Sequence, residues 1–290
     1  MSKKILITGA SGQLGSYLCK VFLNRYNILS TARKEGSNSY KLDISDGKQV
    51  KAVLNQENPD IIINCASYNN VDESESHKIK ARETIVQGIS NIVRFSSKDT
   101  MIVHISSDYI FSGDKELYYE SDKPHPINYY GKLKLESENI LIGSNRRYAI
   151  IRPNVVFSGD IKNKSNFLGW VVRNLDSNKR INVVNDQVSN PTPVELLGEV
   201  IESIILLNIE GIFNVGTSDP ISRYEFALKI ARIFNYDTNL INEIKTDDLK
   251  QLALRPKRTY LSCNKISNEL ELDVYSVDHY LKNYSEVIFE

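Results

Sequence analysis

Apolar residues fall along this chain in two rhythms. Short unbroken runs occupy residues 5–7 and 61–63, and residues 101–105 are apolar except for His104. Such runs are expected of parallel strands covered on both faces, where neither face has to be polar. Residues 27–32 and 147–157 read as further strands, and residues 41–46 place Asp43 just after a short third strand. Between the runs, residues 16–26, 194–208 and 222–234 repeat their apolar positions every three or four residues, as helices with a buried face do. Another helix is expected to begin near Asn128, just past a proline-bounded loop. This alternation predicts a doubly wound α/β parallel sheet over residues 1–154. From residue 155 to 290 the pattern loosens into short strand candidates (within 181–193, 211–216 and 241–245) and a basic loop at 252–266. A smaller mixed α/β C-terminal domain is expected there, with residues 192–216 rejoining the first domain.

Residues with chemical potential stand at the ends of these elements. The first strand runs into Gly9-Ala10-Ser11-Gly12-Gln13-Leu14-Gly15 and then into a helix. That order gives a glycine pattern meaning. Gly9 allows a tight turn, Gly12 admits a pyrophosphate to the backbone N–H groups, and Gly15 lets the helix lie close on the strand. A dinucleotide cofactor is therefore expected. In such a domain an acid at the end of the second strand holds the ribose 2′-OH of NAD, and a base holds the 2′-phosphate of NADP. Ala32, Arg33 and Lys34 stand there, which favours NADPH with Arg33 on the phosphate. Glu35 follows closely and would suit NADH if the strand ended later. Asp43 either caps the next helix, for which Ser45 and Asp46 suffice, or faces the adenine. The fourth and fifth strands end in Cys65-Ala66-Ser67 and Ser106-Ser107-Asp108-Tyr109. Ligands of open parallel sheets bind outside the carboxyl ends of the strands, so these clusters should line one crevice.

Residues 129–134 read Tyr-Tyr-Gly-Lys-Leu-Lys. On a helix, Tyr130 and Lys134 share a face, Tyr129 faces Leu133 and Lys132 points elsewhere. Tyr119 and Lys123 have the same spacing, but Pro124 and Pro126 follow, and a residue before proline avoids helix. A ketone accepting hydride develops negative charge on oxygen and needs a proton donor. Free tyrosine, with a pKa of about 10, is a poor acid near neutral pH. An ammonium one turn away favours the phenolate and would lower that value. Ser107 could hydrogen-bond the carbonyl oxygen.

Composition narrows the partners. Thirty-six Lys and Arg balance 36 Asp and Glu, so no footprint for nucleic acid appears. Hydrophobic residues make up 41% and charged residues 25%, as in soluble globular chains. No run approaches the roughly 20 apolar residues of a membrane span. Cys19, Cys65 and Cys263 are scattered, which fits a reducing cytoplasm. His77, His104, His125 and His279 have no metal spacing and read as structural or surface residues. No metal site is assigned.

Taken in order, TGASGQLG (8–15), SSDYIF (106–111) and the Tyr130–Lys134 pair resemble the extended short-chain dehydrogenase/reductases. NCASYNNVDESE (64–75), VVNDQVSNPTPVELL (183–197) and LRPKRTYLSCNKI (254–266) further resemble the dTDP-4-dehydrorhamnose reductase family. The similarity runs over nearly the whole chain. It implies a Rossmann domain, NADPH or NADH, and reduction of the 4-keto group of a nucleotide-activated 6-deoxyhexose. It implies catalysis by Ser107, Tyr130 and Lys134. Around the cofactor it implies Gly9, Ser11, Gly12, Gln13, Leu14, Gly15, Arg33, Asp43, Ile44, Cys65, Ala66 and Ser67, with Tyr130 and Lys134 again. For the nucleotide sugar it implies Asp108, Tyr109, Asn166, Phe167, Gln187, Arg255 and Lys257, the basic ones for the diphosphate. A homodimer is compatible with it. Two departures stand out: IRPNVVFSG (151–159) replaces the family's Arg-Thr-x-Trp-x-Tyr-Gly, and Ile85 stands where an asparagine is usual. A sugar-nucleotide epimerase and a regulatory subunit like that of methionine adenosyltransferase are alternatives on the same scaffold. The intact Ser-Tyr-Lys set favours an enzyme.

Overall fold

The computed structural model describes residues 2–34 and 40–288. The first half alternates as β1 (Lys4–Thr8), α1 (Gln13–Phe22), β2 (Asn27–Ala32), β3 (Tyr40–Lys41), α2 (Gly47–Glu57) and β4 (Ile61–Asn64). It continues with α3 (Val71–Ser76), α4 (Lys78–Arg82), α5 (Gly88–Phe95), β5 (Met101–Ile105), α6 (Tyr129–Ile142) and β6 (Tyr148–Pro153). Beyond these lie α7 (Phe167–Asp176), α8 (Val194–Leu207), α9 (Arg223–Ile233), α10 (Asn264–Glu269) and α11 (Val277–Ile288).

Among the described residues the main sheet has 7 strands, in the order Gly211–Val215, β6, β5, β4, β1, β2, β3. Every pairing in it is parallel. The unbroken apolar runs follow from this. Ile5, Ile7, Ile61, Ile63 and Val103 face one hydrophobic core, whereas Leu6, Ile62, Ile102 and Ile150 face the other. Strand order reverses between β1 and β4, which opens a crevice at their carboxyl ends.

The expected 147–157 strand is two pieces. β6 stops at Pro153, which has no N–H for a ladder. Asn154 then turns the chain. Its N–H donates to Thr192 Oγ1 (2.9 Å), and its amide donates to Asn190 Oδ1 (2.9 Å) and to the Thr259 carbonyl (2.6 Å). Val156–Phe157 pairs separately with Thr192–Pro193. The segment stays in the core across the break, so the apolar pattern gave no sign of it.

Helix α8 is one-faced, as its pattern predicts. Leu196, Leu197, Val200, Ile201, Ile204 and Ile205 are all buried along one side, and Glu199 and Leu206 stay exposed on the other. It lies so close to α1 that a Cβ on Gly198 would come 2.8 Å from the Tyr17 ring. The chain then enters the Gly211–Val215 strand beside β6. Residues 252–266 are more ordered than a basic loop. Arg258–Thr259 pairs with Val188–Ser189, and α10 follows. Among the described residues, no helix is long and apolar enough to cross a membrane.

Candidate active site

Helix α6 begins where the prolines end. Asn128 caps it, its Oδ1 accepting the Gly131 N–H at 2.8 Å. Tyr130 (7% exposed) and Lys134 (2%) turn inward together, and Lys132 is exposed. The decoy pair, Tyr119 and Lys123, lies exposed outside any helix. Glycine inside a helix is unfavourable by about 1 kcal/mol relative to alanine, so Gly131 needs a reason. A Cβ there would sit 2.1 Å from the Tyr109 carbonyl oxygen. Gly131 therefore lets α6 press against the turn that follows β5.

In that turn, residues 108–110 form a single turn of 3-10 helix with Ser107 as its cap. Ser107 Oγ accepts the Tyr109 N–H (3.2 Å) and donates to Asp108 Oδ1 (2.9 Å). Thr259 Oγ1 donates to Asp108 Oδ2 at 2.7 Å. Burial pushes the Asp108 carboxyl up to about 6, against the opposing effects of Thr259, Ser107 and the Arg223 charge. The Tyr109 ring meets the Tyr130 ring edge-on, centroids 5.9 Å apart.

Lys134 does not lower the Tyr130 pKa as expected. Burial pushes the phenol well above 10, the Asp108 charge adds to this, and hydrogen bonding to Ser107 acts the other way. The cause is apolar wrapping: Tyr130 packs in one cluster with Ala81, Ile85, Val86 and Leu133. Ile85 lies on a π-helical segment, Glu83–Gln87. Lys134 Nζ donates to the Ile105 carbonyl (2.9 Å) and lies 5.8 Å from the Tyr130 ring centroid. Burial lowers its pKa to about 8, opposed by Glu138 and Cys65. The arrangement is a protonated phenol beside an ammonium that loses its proton readily.

Two buried networks hold this pair. Glu138, one turn after Lys134, accepts from Arg152 of β6 through Nη2 (2.7 Å) and Nε (3.1 Å), and from Ser106 Oγ. The second crosses the sheet. Thr8 Oγ1 donates to Asn64 Oδ1 (2.6 Å), so Asn64 Nδ2 donates to His104 Nδ1 (3.1 Å). His104 must then carry its proton on Nε2 and donate to Ser137 Oγ (2.9 Å), which donates to the Lys134 carbonyl (2.7 Å). Burial, then the Lys134 charge, holds the His104 pKa well below its usual range, in keeping with that neutral tautomer.

The glycine turn lies at the other end of the same crevice. Gly9 has φ +65°, and a Cβ on it would come 2.8 Å from Ala66 Cα. A Cβ on Gly15 would come 2.4 Å from the Gly9 carbonyl oxygen. Gly12 precedes α1 without a side-chain cap, and no acid occupies the first turn. Its leading N–H groups are thus suited to a phosphate. Ser67 Oγ is buried beside Tyr130, and like Ser107 it works against the rise of the phenol's pKa. Arg33 and Asp43 line one cavity of about 800 Å³ together with His77, Lys78 and Lys80. An uncapped helix terminus, and a cavity whose wall carries Arg33, Lys78 and Lys80 beside Asp43, Glu75 and Glu83, fit a dinucleotide.

Other expected cofactor residues have different surroundings. Asp46, not Asp43, caps α2, and Asp43 Oδ1 accepts from Ser45 N (3.0 Å) and Ser45 Oγ (2.7 Å). The Ile44 side chain is core, packed against Gly88. Leu14 is core, Ser11 is exposed, and Gln13 Nε2 donates to Ser158 Oγ at 3.1 Å. Cys65 lies close enough to Lys134 for its charge to be felt. Glu35 lies outside the described residues.

The expected substrate residues separate into two places. Asn166 is fully buried and pins the preceding loop, donating to the Ser158 (2.7 Å) and Asp160 (3.0 Å) carbonyls. Phe167 stacks on Trp170 and Phe226. The Gln187 carbonyl accepts the Arg223 N–H (3.1 Å) and its amide donates to Thr246 Oγ1 (3.1 Å). Arg255 pairs with Asp72 (3.0 Å). Lys257 lies instead in a groove of about 340 Å³ with Asp114, Glu116, Asp186 and Arg258. Sequence reasoning missed Arg223, whose guanidinium lies 5.1 Å from the Phe167 ring centroid and whose charge is felt by Tyr109 and Asp108. A cation at the first position of a helix is the one signal that was available.

Known proteins share this architecture. A dTDP-4-dehydrorhamnose reductase from Aggregatibacter actinomycetemcomitans is 31% identical, over 97% of each chain. The methionine adenosyltransferase 2 subunit beta of Xenopus laevis is 30% identical, over 91% of this chain and 82% of its own. A crystal structure of dTDP-4-dehydrorhamnose reductase from Bacillus anthracis in complex with NADP superimposes with a TM-score of 0.91 at 31% identity, covering 100% of both chains. With residues 3–287 matching the family model, the chain belongs to the RmlD substrate binding domain family.

Proposed function

We propose that this chain is an NADPH-dependent reductase acting on the 4-keto group of a nucleotide-activated 6-deoxyhexose, within deoxysugar or polysaccharide assembly. The observation that carries this reading is the Tyr130 phenol, kept protonated by burial beside Ser107 and Lys134. A reductase must deliver a proton to the oxygen that receives negative charge, and Tyr130 is the acid aimed at the crevice. The bound cofactor would supply the hydride. Tyr130 would give its phenolic proton to the sugar oxygen. Ser107 would steady that oxygen, and the Lys134 ammonium would offset the phenolate charge left behind.

Arg33 in the cavity wall supports NADPH over NADH. We assign residues 1–154, with 192–216, to cofactor binding and the rest of 155–290 to the substrate. A reducing cytoplasm is the compartment this reading implies. A non-catalytic subunit is a second reading, because the Xenopus laevis protein is nearly as similar as the reductase. The Ser-Tyr-Lys geometry argues for catalysis.

The test is NADPH absorbance with the purified chain and enzymatically made dTDP-, CDP-, GDP- and UDP-4-keto-6-deoxyhexoses. Oxidation with one of them is expected. Tight NADPH binding without oxidation by any of the four would overturn the reductase reading in favour of the binding subunit.

A further inference from the structure

We propose that Arg223 is a specificity-determining residue that holds the phosphate nearest the sugar, so that a diphosphate-linked sugar is accepted and a monophosphate-linked one is not. This rests on the nucleotide-sugar reading above.

Arg223 is the first residue of α9, where the positive end of the helix disfavours a cation. It is not needed as a cap. Ser222 and Glu225 already form a complete capping box, and the Arg223 N–H goes to the Gln187 carbonyl. Its side chain reaches back over Phe167 towards Tyr109. Burial, and then the neighbouring Arg255 charge, work against its own charge, while Tyr109 and Asp108 support it.

Asp72 and Asp108 match the two arginines in number, so what Arg223 lacks is a direct acidic partner rather than a counter-charge nearby. Among the described residues, Arg223 forms no ion pair with an Asp or Glu. Arg255 has Asp72, and its Nη1 donates to the Ala253 carbonyl. Both guanidinium groups act on the same Tyr109 phenol. Asp108 is the other acid close by, and it already accepts from Ser107 and Thr259. Two half-buried arginines near one phenol repel one another, and an anion bridging them relieves that repulsion. A guanidinium fork matches phosphate oxygens in pairs.

Location selects which phosphate. The Tyr109 ring packs against the Tyr130 ring at 5.9 Å, and the Tyr109 phenol is a group on which Arg223 acts. The cation and the proton donor thus share one aromatic neighbour, Tyr109. One sugar ring separates a 4-keto carbon from the phosphate on C1. Lys257 and Arg258 line a separate groove with Asp114, Glu116 and Asp186.

Calorimetric titration of the full chain with NADPH present tests the assignment. The first step finds which of dTDP, UDP, CDP and GDP binds the wild type. That diphosphate and its monophosphate are then titrated into Arg223→Ala and Arg223→Lys. Arg223→Ala should weaken diphosphate binding at least tenfold and monophosphate binding less than threefold, with NADPH affinity unchanged; Arg223→Lys should fall between. In turnover, KM should rise with kcat nearly constant, as for an interaction equal in ground and transition states. Equal losses for both nucleotides, or no loss, would overturn the role of Arg223 and leave the reductase reading intact. No binding of any diphosphate to the wild type would overturn both. Should Arg223→Ala fail to fold, Arg223→Lys alone decides, because unchanged diphosphate binding with NADPH turnover lost would reject a phosphate contact.

Discussion

Asp108 should make this protein less stable as pH rises through the slightly acidic range. Its carboxyl has a folded-state pKa of about 6 against an ordinary 3.8, chiefly through burial. The folded value lies above the unfolded one, so the folded state binds the proton more readily. The penalty for ionising Asp108 is absent below its ordinary value and complete above about 6. At 1.36 kcal/mol per unit, that penalty is on the order of 3 kcal/mol at neutral pH. Asp108→Asn removes the titration with little change of shape. Thr259 Oγ1 can still donate to the amide oxygen, and the amide N–H can donate to Ser107 Oγ. Urea unfolding of both proteins from about pH 4 to pH 8 measures the effect. The advantage of the variant over the wild type should grow by about 2–3 kcal/mol between pH 4 and pH 7. Taking the difference cancels the distant groups common to both proteins. A difference constant within about 0.5 kcal/mol over that range would refute the burial argument. Such instability is what a functional site exacts, since the Asp108 charge helps to keep Tyr130 protonated.

Tyr130→Phe should keep NADPH affinity, followed by fluorescence, and lose turnover by about a hundredfold or more; undiminished turnover would remove Tyr130 from the chemistry. Gly131→Ala puts a methyl 2.1 Å from the Tyr109 carbonyl oxygen, so α6 must shift, with about 1–3 kcal/mol lost in unfolding and a lower kcat. Arg152→Met leaves Glu138 buried without its partner and should cost about 3–5 kcal/mol, most of it recovered in Arg152→Met/Glu138→Leu; a double variant no better than the single one would contradict this. Arg33→Ala should lower the preference for NADPH over NADH about tenfold in kcat/KM; an unchanged ratio would mean that Arg33 does not touch the 2′-phosphate.

Much of this protein was legible in local pattern. Runs such as residues 61–63 and the glycines before α1 carry their meaning within a few positions, because strand and helix periodicity are local properties. The Tyr130–Lys134 pair was visible for the same reason: helical geometry alone puts residues four apart on one face. The break at Asn154 was not, because burial there continues through contacts with Asn190, Thr192 and Thr259. Nor was the state of the site. Asp108 gains its partner from Thr259, 151 residues away, and Arg223 comes beside Tyr109 only when α9 folds back over the crevice. Spacing predicted that Lys134 would acidify Tyr130, but the apolar wrapping by Ala81, Ile85, Val86 and Leu133 outweighs it. The sequence by itself determined which groups are present and which neighbours share a face. Their protonation and their partners were decided by desolvation and by contacts between distant segments, which exist only once the chain has packed.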